Sequence, residues 1–405
     1  MAAPKLRFKE FDGDWVKTNF GKVASHISYG LTVRPEYIEN GIKLISAREI
    51  STGNIDFDNA PKISISDFML LSDKAKPQKY DLFLSKTGSI GFTSIVETDE
   101  KFAITQNIAN IRLNNLSEQD PYFFLQQMRT TSFQLKAISV VNQSTIMDLQ
   151  LGDIKKLEIG YPSKEEQTKI ASFLSAVDEK ISQLTQKHEL LSQYKQGMMQ
   201  KLFSQQLRFK ADDGSEFGEW EEKALKTIAR IYDGTHQTPN YVEDGVPFYS
   251  VEHVTANNFF KTKFIAEDVF LNELKRVQLE KNNILLTRIG DIGTSKLIDW
   301  DVRASFYVSL ALIKVDKNHN SSFVNQYIKS VFFQRELHER TIHVAFPKKI
   351  NLGEIGLCLI RLPCPEEQTK IANFLSAIDQ KIEVVAQQIE QAKQWKKGLL
   401  QQMFV

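Results

Sequence analysis

The chain has 405 residues and a formal net charge of +1; 42% of its residues are hydrophobic and 25% are charged. This length predicts two or three domains, and this composition excludes collagen-like, broadly disordered and purely coiled-coil proteins. No apolar run approaches the roughly 18 residues that span a bilayer, and the N-terminus lacks the apolar core of a secretory signal. We therefore expect a soluble, cytoplasmic protein without a membrane partner.

Both halves of the chain carry the pattern of mixed α/β structure. Short apolar runs bounded by glycine-containing turns predict strands at residues 81–85, 108–113, 283–287 and 310–315. Helical patterns occupy residues 121–137 and 322–340.

The chain is a tandem repeat with an offset of about half its length. Residues 165–181 read EEQTKIASFLSAVDEKI and residues 366–382 read EEQTKIANFLSAIDQKI, so 14 of 17 positions are identical. The same offset carries Arg7 to Arg208, whereas the segments between the repeated blocks match only at scattered points. We infer one scaffold built twice, which carries two different surfaces.

The repeated blocks predict two long helices with heptad seams that pack against each other. Each helix spans about 33 residues, hence roughly 50 Å. The apolar seam positions are Ile170, Leu174, Val177, Ile181, Leu184, Leu191, Ile371, Leu375, Ile378, Ile382, Val385 and Ile389. Three seam positions are polar, namely His188, Lys195 and Lys396. The simpler interpretation is that they extend toward solvent near the helix ends, and the alternative is that they set the register.

The sequence offers no recognisable catalytic centre. It lacks a phosphate-binding loop, a dinucleotide-binding glycine motif, a zinc-protease motif and a nucleophile elbow. Cys358 and Cys364 are too few for a disulfide framework or a four-ligand zinc site, and a buried structural role is expected for them. We predict no catalytic residue and no metal site, which favours a binding role.

The repeated block resembles that of the specificity subunits of type I restriction–modification enzymes. The block Pro-x-x-x-Glu-Gln-Thr-Lys-Ile-Ala-x-Phe-Leu-Ser-Ala-[Val/Ile]-Asp-x-Lys-Ile occurs twice, half a chain apart. The strings Ser85–Gly91 and Thr287–Gly293 support the resemblance. It implies an α+β fold and a pseudo-twofold tandem repeat, with two mixed α/β target recognition domains separated by two long antiparallel coiled-coil helices. The implied boundaries are 1–161 and 206–362 for the recognition domains, and 162–205 and 363–405 for the helical spacers.

The resemblance also implies the function and the partners. Each recognition domain would read one half of a bipartite, asymmetric duplex DNA site. The helices would set the gap and bind two methyltransferase subunits, and two motor–endonuclease subunits would complete a bacterial or archaeal complex. This chain would hold no cofactor, because its partners would use S-adenosylmethionine, ATP and Mg²⁺. A helix of about 50 Å matches roughly 15 base pairs.

The charge balance predicts weak DNA binding by the chain alone. Residues 1–161 contain 19 basic residues (lysine plus arginine) and 19 acidic residues (aspartate plus glutamate). Residues 206–362 contain 21 of each. Phosphate neutralisation provides most non-specific affinity for DNA, so the partners are expected to supply much of it.

The candidate DNA-binding residues are polar side chains in turns, chosen because they can donate or accept hydrogen bonds in a groove. Lys86 and Arg288, which occupy matched positions, are the strongest candidates, for phosphate rather than base contact. In the first domain the candidates are Tyr29, Thr32, Arg34, Arg48, Lys86, Thr87, Ser89, Gln106, Asn107, Gln143 and Ser144. In the second they are His236, Gln237, Thr238, Tyr249, Glu252, His253, Arg288, Asp291, Lys348 and Lys349.

Two other functions remain open at this point. The chain could be a self-contained nuclease or methyltransferase with an unfamiliar site. It could also be a coiled-coil scaffold whose modules bind protein or glycan. Methylation or cleavage by the chain alone would support the first alternative, and failure to capture a methyltransferase would support the second.

Overall fold

The computed structural model describes residues 4–141 and 147–404 and divides the chain into two compact units. The first unit comprises Met1–Thr185 with Gln387–Val405, and the second comprises Gln186–Ala386. Each unit therefore contains one sheet-bearing segment, the first part of the long helix that follows it, and the last part of the other long helix.

The first unit contains nine strands and the start of a long helix within the described residues. The strands are β1 Val16–Asn19, β2 Ala24–Tyr29, β3 Ile42–Ile45, β4 Lys62–Ile63, β5 Leu82–Ser85, β6 Thr93–Ile95, β7 Ala103–Ile104, β8 Ile108–Leu113 and β9 Glu158–Tyr161. The helices are α1 Phe20–Val23, α2 Ile65–Met69, α3 Pro121–Met128, α4 Thr131–Ser139, α5 Leu151–Lys156 and α6 Lys164–Phe203.

Its main sheet has the order β2-β8-β5-β6 and is antiparallel throughout. All four residues of β5 are buried, because apolar clusters cover both faces of the sheet. A smaller sheet, β4-β3-β7, pairs β3 with β7 in parallel, and β1 pairs with β9 next to the start of α6. The apolar runs predicted as strands at 81–85 and 108–113 are thus the two central strands of the main sheet.

The second unit repeats this arrangement. Its strands are β10 Glu221–Ala224, β11 Ala229–Asp233, β12 Tyr241–Val242, β13 Val246–Tyr249, β14 Lys263–Ile265, β15 Ile284–Ile289, β16 Asp291–Leu297, β17 Ser305–Phe306, β18 Leu310–Val315 and β19 Leu359–Leu362. Its helices are a 3₁₀ turn Leu225–Thr227, α7 Val251–Thr255, α8 Glu267–Leu274, α9 Ser321–Ile328, α10 Val331–Glu339, α11 Leu352–Leu357 and α12 Pro365–Met403. The main sheet is β11-β18-β15-β16, the smaller one is β12-β14-β13-β17, and β10 pairs with β19.

Each of the two helices predicted within the sheet-bearing segments is in fact a pair of shorter helices. The stretch 121–137 divides into α3 and α4, and the stretch 322–340 divides into α9 and α10. At each break a hydroxyl side chain caps the second helix: Thr130 accepts a hydrogen bond from Phe133 N, and Ser330 accepts one from Phe333 N. Such caps satisfy backbone N–H groups that have no partner within the helix, so they start a new helix.

The long helices are longer than expected, with 40 residues in α6 and 39 in α12. A helix of 40 residues is about 60 Å long. Within each unit the start of one helix packs against the end of the other: the first core includes Ile170, Leu174, Leu399 and Met403. The second core likewise includes Leu202 and Leu375. The twelve apolar seam positions are all buried or half-buried.

Among the described residues, no helix combines the length and the apolar content that a membrane crossing requires. The four-segment division of the chain at residues 161, 205 and 362 stays a prediction.

Candidate functional site

Four loops of the first unit meet beyond one end of its main sheet, and we call them the first loop cluster: residues 30–34, 86–89, 105–107 and 147–149. Backbone hydrogen bonds of 2.7–3.0 Å join them, from Gln106 N to Leu31 O, from Lys86 N to Asn107 O, from Gly88 N to Met147 O and from Leu149 N to Lys86 O. The chain thereby holds four turns in fixed positions without using their exposed side chains.

The second unit has an equivalent second loop cluster, formed by residues 234–239, 288–291, 307–309 and 348–350. Its backbone hydrogen bonds occupy matched positions, from Val308 N to Thr235 O, from Arg288 N to Ser309 O, from Gly290 N to Lys348 O and from Ile350 N to Arg288 O. The two units therefore present one loop framework with different side chains.

A glycine in each cluster allows two backbone segments to approach closely. A Cβ atom on Gly30 would lie 1.7 Å from Ile104 O, and one on Gly234 would lie 2.0 Å from Phe306 O. These distances exclude any side chain at either position, so both loops depend on glycine.

Most of the predicted DNA-binding residues are exposed. In the first unit these are Tyr29, Thr32, Arg34, Arg48, Ser89 and Gln106; in the second they are His236, Gln237, Thr238, Glu252, Asp291, Lys348 and Lys349. Thr87 and Asn107 are half-buried, and Gln143 and Ser144 lie outside the described residues. Arg48 and Glu252 follow β3 and β13 respectively, beside the clusters rather than inside them.

The two strongest candidates, Lys86 and Arg288, are each only 8% exposed and bind protein groups. Lys86 Nζ lies 2.5 Å from Asp148 Oδ1. The Arg288 guanidinium donates to Val308 O at 2.7 Å and to Ile350 O at 3.2 Å, and burial lowers its pKa. Both cations therefore link loops of their own cluster, and a phosphate would have to compete with these partners.

Two further candidates of the second unit are also buried. Tyr249 is 4% exposed, and burial raises its pKa. His253 is 5% exposed, and its Nδ1 accepts a hydrogen bond from Ser250 N at the start of α7. Their polar atoms therefore face the protein interior and not the solvent.

The repeated block contains buried polar residues that join each sheet-bearing segment to its helix. Glu166, 1% exposed, accepts two hydrogen bonds of 2.7 Å from Arg7, and these raise the pKa of Arg7. Glu367 makes the same contacts with Arg208, at 3.1 and 2.6 Å. We did not predict these pairs, although the repeated Arg7 and Arg208 were the available signal.

The two lysines of the heptad seam form ion pairs instead of extending to solvent. Lys195 Nζ lies 2.7 Å from Asp379 Oδ1, and Lys396 Nζ lies 2.5 Å from Asp178 Oδ1. Burial lowers the pKa of Lys396, and its bond to Asp178 opposes that shift. The interpretation that these two lysines extend into solvent is wrong, and register-setting is the interpretation that their geometry supports. His188 is half-buried.

Within residues 4–141 and 147–404, no group of three or more His, Cys, Asp or Glu side chains is arranged to hold a metal ion. Burial raises the pKa of the Cys358 thiol to about 12, which leaves it protonated and unreactive near neutral pH.

A family model described as "Type I restriction modification DNA specificity domain" matches the sequence twice, at residues 32–193 and 218–394. The chain belongs to this family. The suspected resemblance to type I specificity subunits is thereby confirmed.

Relatives and solved structures agree with this assignment. The type I restriction enzyme MjaVIII specificity subunit of Methanocaldococcus jannaschii is 27% identical, over 84% of this chain and 78% of the relative. The putative MjaX specificity subunit of the same organism is 28% identical, over 98% and 94% of the two chains. The crystal structure of a type I S subunit from M. genitalium has a TM-score of 0.66 at 19% identity, over 100% of this chain and 99% of that one. The predicted fold class, a tandem of mixed α/β modules with two long helices, is confirmed.

Proposed function

We propose that this specificity subunit reads a bipartite, asymmetric DNA site, with one half-site contacted by each loop cluster. The observation that carries the proposal is the pair of matched backbone frameworks with unlike exposed side chains. Matched backbone frameworks suit the duplex backbone, whose geometry is the same at both half-sites. Unlike exposed side chains suit two half-sites with different base sequences.

The exposed candidates are the residues proposed to contact DNA. In the first unit Arg34, Arg48 and Gln106 can donate to guanine, adenine or phosphate. In the second unit Gln237 takes that role, and so does Nδ1 of His236, because Nε2 of this ring already lies 2.8 Å from Asp233 Oδ2. Lys86 and Arg288 are proposed to hold the loops in position, because their cationic groups already bind Asp148 and backbone carbonyl oxygens.

The paired helices are proposed to dock two methyltransferase subunits. In the first unit a groove of about 190 Å³ is lined by Phe173, Ala176, Val177, Lys180, Ala392 and Trp395. Trp395 is 54% exposed, and its ring lies 6.0 Å from that of Phe173. The repeat places similar residues at the matched positions of the second unit, including Phe374 and Tyr194. Two matched apolar surfaces suit two copies of one partner.

The family assignment motivates the further proposals about the helices, the partner subunits and their cofactors. The helices set the gap between the half-sites, and this chain performs no chemistry. Methyltransferase subunits modify adenine with S-adenosylmethionine, and two motor–endonuclease subunits use ATP and Mg²⁺. The complex acts in the cytoplasm.

The decisive experiment maps methylated adenines in DNA that has been modified by the complex of this chain with its methyltransferase. We expect one bipartite site with two unlike halves. Replacing residues 206–362 with the corresponding module of another specificity subunit should change one half only. Methylation that is independent of sequence, or a swap that changes both halves, would contradict the proposal.

A second measurement tests the charge argument. The isolated chain should bind non-specific duplex DNA weakly at 150 mM salt, a concentration at which a balanced charge provides little phosphate neutralisation. Nanomolar binding by the chain alone would show that the partners are not needed for phosphate contact.

A further inference from the structure

The loop of residues 342–349 in the second unit exposes two large apolar side chains. Val344 is 97% exposed and Phe346 is 104% exposed. Exposed apolar side chains of this size, when grouped on one loop, mark interaction sites more often than isolated ones do. The loop is therefore a candidate contact surface.

The base of this loop is fixed to the second loop cluster. Ile342 N donates to Lys349 O at 2.8 Å, which closes the loop, and Gly290 N donates to Lys348 O at 2.8 Å. Ile350 N donates to Arg288 O at 3.0 Å. Phe346 thus extends from an anchored stem beside the turns that carry the proposed DNA contacts.

The charge of the loop favours a polyanionic partner. Residues 341–350 include Lys348, Lys349 and His343 and contain no acidic residue. The loop borders a cleft of roughly 300 Å³, in which the rings of His338 and His343 lie 4.5 Å apart. Asp291 also lines this cleft, whereas Lys348 and Lys349 place two positive charges on the stem beside Phe346.

We infer that Phe346 acts as an apolar wedge that inserts between two stacked base pairs of the half-site read by the second unit. The inference rests on the proposed function and makes it more specific. A wedge of this kind unstacks one base step and bends the duplex, while Lys348 and Lys349 neutralise the flanking phosphates. Pyrimidine–purine steps unstack most easily, so the second half-site should contain one.

The first unit lacks the residues for the same device. Residues 140–148, which align with 341–349 at the repeat offset, contain neither an aromatic nor a basic residue. Removal of the wedge should therefore affect one half-site and leave the other as an internal control.

The experiment uses the complex with methyltransferase and a duplex that carries its mapped site. 2-Aminopurine is placed at successive positions of the second half-site, because its fluorescence rises when it is unstacked. Phe346→Ala is compared with Phe346→Trp and with the control Leu271→Ala, a residue 52% exposed on α8. We expect a fluorescence increase at one step with the wild type, the tryptophan variant and the control. Phe346→Ala should lose that increase and bind about ten- to a hundredfold more weakly, the effect of one lost stacking contact.

Three outcomes would overturn the inference. First, if Phe346→Ala keeps both the fluorescence increase and the affinity, Phe346 does not act as a wedge; the proposed function still stands if the complex methylates a bipartite site. Second, if Phe346→Ala weakens methyltransferase binding in the absence of DNA, the loop contacts protein. Third, if neither the wild type nor any variant methylates a specific site, both the wedge and the proposed function fail.

Discussion

Lys195 Nζ lies 2.7 Å from Asp379 Oδ1, across the two long helices where they pack in the second unit. Asp379 also accepts a hydrogen bond of 2.7 Å from Gln326, on α9. One carboxylate therefore joins the two helices and the sheet-bearing segment. The first unit repeats the arrangement with Asp178, which binds Lys396 and accepts from Gln126 at 3.0 Å.

We expect Lys195→Met to destabilise the second unit by about 1–2 kcal/mol. The methionine keeps the buried aliphatic stem but removes the charge. Asp379 then loses its ion pair and keeps its hydrogen bond from Gln326 and its electrostatic interaction with Lys329. Urea unfolding measures the change, with Lys201→Met as the control because Lys201 is exposed on the same helix. Equal effects of the two substitutions would show that the ion pair contributes nothing.

Glu367→Gln should destabilise the protein by roughly 3 kcal/mol. Glu367 is wholly buried and binds Arg208 and Trp220, so the neutral amide leaves the guanidinium without its counter-charge. The neighbouring residue offers a matched control, because Glu366 is exposed and Glu366→Gln should change stability little. Thermal unfolding of both variants tests this, and similar melting temperatures would contradict it.

The first loop cluster should loosen in acid because Asp148 titrates there. Burial alone would raise the pKa of Asp148, but hydrogen bonds from Lys86 and Thr87 outweigh it and hold the pKa below its usual range. A lowered folded-state pKa stabilises the fold above the unfolded-state value of about 3.9, and that stabilisation is lost as the pH falls through the folded value.

Hydrogen exchange of the amides of Gly88 and Leu149 reports on this contact, because both donate within the cluster. Relative to the wild type, Asp148→Asn should exchange faster at pH 7, and the difference should shrink as the pH falls through the lowered pKa of Asp148. A difference that does not depend on pH would show that the carboxylate charge is irrelevant.

Gly30→Ala and Gly234→Ala should each abolish recognition of one half-site. The new Cβ atom would overlap a carbonyl oxygen, so the loop must move, at a cost of more than about 3 kcal/mol. Gly13→Ala is the control, because a Cβ there has nothing within 4 Å. Methylation mapping of the three variants tests this, and loss of both half-sites from one substitution would argue against separate readers.

Trp395→Ala should lower the number of bound methyltransferase subunits from two to one, because it removes the largest exposed apolar group of one groove. Native mass spectrometry of the reconstituted complex counts the subunits. Val384→Ala, also exposed on α12, serves as the control. Retention of two subunits by Trp395→Ala would place the docking surface elsewhere.

The sequence predicts those features that depend on continuous or periodic apolar patterns. The strands at 81–85 and 310–315 are central and covered on both faces, so the core of each is a short continuous apolar run, Leu-Phe-Leu and Leu-Ala-Leu-Ile respectively. The long helices follow from their heptads. The split of 121–137 at Thr130 was missed, although a threonine is favoured at the start of a helix over its interior and was the available signal.

Partners distant in the chain could not be predicted from local patterns. Lys86 binds Asp148, 62 residues later, and Arg288 binds carbonyl oxygens 20 and 62 residues away. A lysine in a turn gives no local sign that it is buried. The chemistry of both side chains was therefore visible in the sequence, whereas their intramolecular partners were not.

The loop frameworks are held mainly by main-chain hydrogen bonds and by a few buried side chains. Some exposed side chains also contribute, since Asp291 accepts a hydrogen bond from Thr287 and the Thr238 hydroxyl lies 3.3 Å from that of Tyr307. Substitutions at exposed loop positions away from such contacts should cost little folding free energy. A recognition domain built in this way can acquire a new target preference through single substitutions. One domain can therefore diversify while the other keeps its ancestral half-site.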